Sequence, residues 1–392
     1  MSKILITGGA GFIGNNVVNR LYNEGLYEIV VLDNFSNQIH GNNYEESYLY
    51  QNIKDKAHII KGDIRNRVDV EKALEGVEYV IHLAAETGTG QSMYEINRYT
   101  DVNIMGMSNL LDVILKKRMK IKKIILSSSR SVYGEGMYIC TDHGIVVPQS
   151  RNIEDMKSGY FETRCPICAK SVQLCSTSEE SVLNPVSYYA YTKLAQEKML
   201  ETMCRIMEIP YTIFRYQNVY GAGQSLSNPY TGILSIFSKL LLQNKPINIF
   251  EDGKESRDFV HVSDVSAITC NAIENPLTNY QHINVGSGEN ISVLNVAKTL
   301  KDIYSSSSDI HVSGDFRKGD IRHNIADISK AKKLCGFAPV YNFKNGMEEF
   351  TSWVLEENSE NKLLVTDRKF EISLEEMKET GMLIQNQRVE TR

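Results

Sequence analysis

The chain has 392 residues, of which 42% are hydrophobic and 23% charged, and its net charge is −5. That length buries a full core in two lobes, and the mild acidity excludes a nucleic-acid or membrane surface as the main partner. No apolar run approaches membrane-spanning length, and Met1 leads directly into a strand, so a cytoplasmic protein with seven reduced cysteines is expected.

The first element, Lys3-Ile4-Leu5-Ile6-Thr7, is an apolar, β-rich run suited to a buried parallel strand. It runs into Gly8-Gly9-Ala10-Gly11-Phe12-Ile13-Gly14 and then a helix with Ile13, Val17, Val18 and Leu21 on one face. Gly8 permits a tight turn, Gly11 lets backbone approach a pyrophosphate, and Gly14 lets the helix pack close to the strand. Phe12 and Ile13 complete this cradle. A second strand, Glu28–Leu32, ends about 20 residues on in Asp33, with Asn34 beside it. An acid there suits ribose hydroxyls and repels a 2′-phosphate, so NAD is favoured over NADP.

The alternation continues. His58–Gly62 leads to Asp63 and Ile64, where the carboxylate is expected to meet an adenine amine. A helix around Val68–Leu74 precedes the strand Tyr79–Leu83, and Leu83, Ala84 and Ala85 leave room for a cofactor on the strand ends. A helix over about 97–117 turns Leu110, Leu111 and Ile114 inward; the basic run Lys116–Lys123 reads as its solvated end. Lys123–Leu126 then opens onto Ser127-Ser128-Ser129. The pattern is a doubly wound α/β unit with a parallel sheet, whose ligands belong at the carboxyl ends of the strands.

Residues of about 136–180 interrupt it. Cys140-x-x-His143 and Cys165-x-x-Cys168 form two knuckles of the kind that converge on a tetrahedral structural zinc, with Cys175 the alternative to His143 as fourth ligand. Beyond them, Tyr189 and Lys193 lie four residues apart, one turn and one face of a helix. An ammonium ~4 Å from a phenol is worth ~4 kcal/mol at an effective dielectric of ~20. That is roughly 3 pK units, enough to bring the phenol from ~10 toward neutrality as a base.

The combination of Thr7–Gly14, Ser127-Ser128-Ser129 and Tyr189-x-x-x-Lys193 resembles the extended short-chain dehydrogenases/reductases, specifically the nucleotide-sugar epimerases and dehydratases, over roughly residues 1–355. The resemblance implies a Rossmann domain (1–225), a smaller mixed α/β lobe (226–355) for a nucleotide-diphosphate sugar, and an extension (356–392) without assigned role. It implies that Ser127 lies by the cofactor and Ser129 bonds the reacting sugar oxygen beside Tyr189. Lys193 then holds the nicotinamide ribose, and Asn103 sits behind the site. In Phe214–Gly221, Tyr216 is placed near the cofactor and Asn218 near the sugar diphosphate. Arg257 matches a diphosphate-binding arginine, and Arg317 and Asp320 match an Arg-x-Gly-Asp that closes over the nucleotide. Arginine suits diphosphate because its planar fork donates two bonds at once. Similar proteins pair as homodimers through the helices corresponding to 97–117 and 189–207.

The 4,6-dehydratases of this family carry Asp-Glu just after the serine. Here Arg130 and Ser131 stand there, so elimination of water lacks its acid/base pair. A 4-epimerase needs only removal of the O4 proton and reversible hydride transfer. The loop Ala85–Ile96, with Glu86, Thr87 and Gln91 as candidate hydroxyl contacts, and the cysteine-bearing insertion resemble the subgroup converting dTDP-L-rhamnose to dTDP-6-deoxy-L-talose. UDP-hexose or UDP-uronic acid epimerases and one-way 4-ketosugar reductases remain alternatives, and a non-catalytic NAD-sensing protein a distant one.

Overall fold

The computed structural model describes residues 1–226, Asn228, 232–358 and 369–386. Seven strands form one sheet: β1 (Ser2–Thr7), β2 (Tyr27–Asp33), β3 (His58–Lys61), β4 (Tyr79–His82), β5 (Lys123–Ser129), β6 (Tyr211–Tyr216) and β7 (Gln281–Val285). Their order is β7-β6-β5-β4-β1-β2-β3, and every pairing is parallel. Successive connections run outward in opposite directions from β1 and β4, which opens a crevice at the strands' carboxyl ends.

Strand alternation explains the two covered faces. Ile4 and Ile6 pack against Val17, Val18 and Leu21 of helix α1 (Phe12–Glu24). Leu5 faces the other way, into a core with Leu110, Leu111 and Ile114 of α2 (Gly106–Lys116). The helix expected over 97–117 is divided: a helical turn at Ile96–Tyr99, a π-helical stretch at Thr100–Met105, then α2. The wider π turn presents Asn103 inward, fully buried.

Helix α3 (Tyr188–Met207) starts at Ser187, whose Oγ accepts the Ala190 amide at 3.2 Å, and ends at Glu208 in left-handed conformation. Two pieces of the stretch assigned by sequence to a second lobe complete the sheet domain instead. β7 pairs with β6 in the register Ile283↔Phe214, and α4 (Val262–Asn271) packs on α1 through Val265 and Ile268. The run His282-Ile283-Asn284-Val285 is strand-like in pattern, but nothing local in it names β6 as its partner. The remaining lobe has its own core, around Phe237, Leu241, Ile249, Leu300 and Phe350.

The insertion forms a three-stranded antiparallel sheet of Tyr138–Cys140, Gly144–Val146 and Gln173–Leu174. Ion pairs join it to the second lobe, one of them buried and one with an exposed Glu162 carboxylate. Arg151 bonds Glu251 at 2.7 and 2.8 Å, and Glu162 bonds Arg322.

Beneath the strand ends, Arg215 on β6 grips Glu197 on α3 through two bonds of 3.0 and 2.8 Å. Glu197 also accepts the Ser128 hydroxyl, and Arg215 donates to the Tyr133 hydroxyl at 2.8 Å. Both charges are at most 3% exposed. Removing one partner of a buried pair strands the other, so Glu197→Gln is expected to cost about 3–5 kcal/mol, read as a lowered urea midpoint with unchanged slope.

Candidate active site

A cavity of about 600 Å³ spans the crevice between the sheet and the second lobe. At one end lies the glycine turn. Gly8 has φ +69°, and a Cβ there would stand 2.7 Å from the Ala84 amide nitrogen. A Cβ on Gly14 would stand 2.3 Å from the Gly8 carbonyl oxygen, which enforces the close passage of α1 over β1. The first turn of α1 has no side-chain cap, so its amides remain available to an anion. Gly8, Gly11, Phe12, Ile13, Gly14, Asp33, Asn34, Ile64, Leu83, Ala84 and Ala85 all line this end.

Asp33 accepts the Ala10 amide at 3.0 Å and the Phe35 amide at 2.9 Å, yet burial raises its pKa to about 6. Asp63 departs from expectation: it does not line the cavity. Its carboxylate bonds Arg65 at 2.8 and 2.9 Å and takes the Asn34 amide at 3.1 Å. Burial pushes it up, but Arg65 holds it down at about 2. An arginine two residues away is a nearer partner than any ligand.

At the centre, Ser127, Ser129, Tyr189, Lys193 and Tyr216 share one wall. Ser129 and Tyr189 line the cavity together, and the serine hydroxyl is near enough to the phenol to lower its pKa. The lysine is placed differently from the helical-spacing estimate. Its Nζ donates to the Ser127 carbonyl at 2.9 Å and stands 6.0 Å from the Tyr189 ring centre. Burial lowers Lys193 to about 7. Burial also lifts Tyr189 above the ordinary phenol range, outweighing the Ser129 hydroxyl and the Arg130 charge. Desolvation therefore beats the Coulomb term on which the spacing argument rested. Asn103 stands behind this wall, donating to Thr192 Oγ1 at 2.9 Å and accepting the Glu86 amide at 2.8 Å.

The far end carries three arginines among the carboxylates of Glu251, Glu255 and Asp320. Arg130, Asn218, Arg257, Arg317 and Asp320 line it, with Glu86 and Thr87 on the adjoining loop. Arg257 is braced by the carbonyls of Ser256, Ile321 and Arg322 at 2.8–3.0 Å. Arg317 lies over the Phe250 ring with its Nε buried and unpartnered. Burial lowers the pKa of Arg317, and burial opposes ionisation of Asp320 too, but Arg257 and Arg317 keep its carboxylate below the usual range. Glu86 is paired with Arg98 at 2.9 Å. Gln91 is a correction: it is buried outside the cavity, accepting from Tyr99 and Gln38. Cys140, His143, Cys165 and Cys168 come together in the insertion and do not line the cavity.

Two contributors were missed. Arg130 served only to exclude a dehydratase, yet it lines the cavity, donates to Asn218 at 2.9 Å and is pushed down to about 9 by burial and Arg257. Its place immediately after the serine run was the available signal. The C-terminal extension returns to the site. Leu383–Ile384 pairs antiparallel with Phe316–Arg317, and Phe370 reaches the cavity wall. Residues 359–368 and 387–392 of that extension lie outside the described residues. Its polar composition gave no signal of docking.

The NAD dependent epimerase/dehydratase family matches residues 4–155 and 160–286. A dTDP-L-rhamnose 4-epimerase from Burkholderia thailandensis is 37% identical over 91% of this chain and 95% of its own. A putative UDP-glucose 4-epimerase from Methanocaldococcus jannaschii is 30% identical over 91% and 99%. Among solved structures, a UDP-glucuronic acid 4-epimerase from Bacillus cereus with UDP-glucuronic acid and NAD superposes with a TM-score of 0.73, at 28% identity over 91% and 99%.

The Lys193 geometry makes a pH prediction. A lysine held at about 7 in the folded state is neutral where the unfolded chain, with a pKa near ~10.4, is still protonated. The unfolded state binds more protons in that window, so the lysine's contribution to stability rises with pH from about 7 to ~10.4. The difference in stability between wild type and Lys193→Met, from urea melts of ligand-free protein, is expected to shift toward wild type across that range.

Proposed function

The chain belongs to the NAD dependent epimerase/dehydratase family, and from that premise we propose that it is an NAD-dependent 4-epimerase of a nucleotide-activated sugar, interconverting dTDP-L-rhamnose and dTDP-6-deoxy-L-talose. The observation that carries this reading is that Ser129, Tyr189 and Lys193 line one cavity with the glycine turn and three arginines. One cavity thus offers a dinucleotide cradle, a proton-transfer pair and a diphosphate clamp.

The residues present fit NAD. The uncapped α1 terminus and Gly11 suit its pyrophosphate, Asp33 its ribose hydroxyls, and Lys193 the nicotinamide ribose. Bound NAD supplies the reversible hydride acceptor for sugar C4. Tyr189 takes the O4 proton and returns it, Ser129 holds O4 by a hydrogen bond, and a protonated Lys193 together with Arg130 favours the phenolate. Arg257, Arg317 and Arg130 take the diphosphate, and Asp320 between them limits their mutual repulsion. The extension's strand beside Arg317 and its Phe370 close the nucleotide end.

Absence of an acid pair at Arg130 and Ser131 supports epimerisation over dehydration. The sugar assignment draws on the 37% identical relative. It also suits the cavity-lining loop Ala85–Thr89, which contains no cation to match a uronic acid carboxylate. The exposed Met105, Leu115, Tyr191 and Ile206 on the two helices expected to pair support a homodimer.

Incubation with dTDP-L-rhamnose, UDP-glucose and UDP-glucuronic acid, read by NMR at C4, tests the assignment; talo product from the first alone is the expected result. Tyr189→Phe is expected to lower turnover at least ~10³-fold while retaining NAD, since a positioned acid/base is worth about 10²–10⁴ and the phenol's only replacement is water. A fully active Tyr189→Phe protein defeats the mechanism.

A further inference from the structure

The insertion holds a cluster that the cavity does not use. The Cys140 sulfur lies 3.5 Å from His143 Nδ1 and 3.7 Å from the Cys168 sulfur, and the Cys165 sulfur lies 3.6 Å from His143 Nδ1. All four ligand atoms fall within 4.8 Å of one another. A tetrahedral zinc with Zn–S of about 2.3 Å and Zn–N of about 2.0–2.1 Å has edges of about 3.75 Å between sulfurs and about 3.55 Å between sulfur and nitrogen. The observed edges match. A disulfide requires about 2.05 Å, and all seven cysteines are free.

From this geometry we infer that Cys140, His143, Cys165 and Cys168 form a closed four-ligand zinc site that folds the insertion. The surrounding backbone is shaped for it. The second knuckle closes on itself: the Cys165 amide donates to the Lys170 carbonyl at 2.8 Å, and Ala169, at φ +59°, donates to the Cys165 carbonyl at 2.9 Å. Lys170 also pairs with Asp142, tying one knuckle to the other. Cys175, the alternative fourth ligand, is outside the cluster.

Three thiolates and an imidazole select zinc over magnesium or calcium, and four protein ligands leave no open position for catalysis. The role is therefore structural. The lobe's own core is Tyr138, Cys140, Val146 and Cys165, while its Met156 and Phe161 pack against Phe316 of the second lobe, too few apolar groups to order it alone. Once ordered, the lobe presents Arg151 to Glu251 and to the Asp320 carbonyl at 2.8 Å, bracing the cavity wall. The site stands whatever sugar the cavity accepts.

Elemental analysis of the full-length protein, purified without chelator, is expected to give about one zinc per chain. Cobalt-substituted protein is expected to show the visible bands of a tetrahedral site with thiolate charge transfer. Cys165→Ser/Cys168→Ser should abolish both signals and raise hydrogen exchange across residues 136–180, whereas Cys175→Ser should change none of them. His143→Cys, which keeps four ligands, should retain the metal. Unaltered protein that takes up neither zinc nor cobalt, metal loss in Cys175→Ser, or a Cys165–Cys168 disulfide found by mass spectrometry overturns the inference.

Discussion

A carboxylate one helical turn beyond Lys193 fixes the centre of this protein. Glu197 is locked by the Arg215 fork and by Ser128, so α3 cannot slide along β5 or β6. Tyr189 and Lys193 project from the first turns of that helix, and their aim at Ser129 and Ser127 follows from this lock. A charge pair removed from water is costly unless every lone pair and proton is used. Here the Tyr133 hydroxyl, which in turn bonds Asn284 on β7 at 2.7 Å, takes up a further guanidinium proton. Four elements of the sheet domain are thereby joined below the reacting groups.

The same burial sets the electrostatics above. Tyr189 lies above the ordinary phenol range and Lys193 is lowered to about 7, because both charged forms have lost water. At rest the site therefore holds a neutral phenol and an amine close to its titration point. The cavity also differs along its length, with Asp33 at the glycine end and the arginines Arg130, Arg257 and Arg317 among the carboxylates of Glu251, Glu255 and Asp320 at the other. A ligand with ribose hydroxyls at one end and a diphosphate at the other meets complementary groups at both.

Much of this was legible because it is local. Gly8, Gly11 and Gly14 carry their meaning in their spacing, since the turn and the close helix passage are made within ten residues. Helical spacing likewise puts Tyr189 and Lys193 on one face, and Cys165-x-x-Cys168 makes its own knuckle. Reasoning from the same spacing went wrong in energy. It supplied the separation of two charges but not the solvent around them, and so ranked Coulomb attraction above desolvation.

What the sequence by itself determined, then, was the parallel sheet, the glycine turn, the shared helix face of Tyr189 and Lys193 and the Cys165-x-x-Cys168 knuckle, each encoded in short-range pattern. Only the tertiary structure decided that Lys193 reaches the Ser127 carbonyl, that Asp63 belongs to Arg65 and Gln91 to Tyr99, and that β7 closes the sheet. It alone brought the polar extension back to Arg317 and Phe316. Those partners lie far apart in the chain or compete with nearer ones, and which contact wins depends on burial, which no local pattern states.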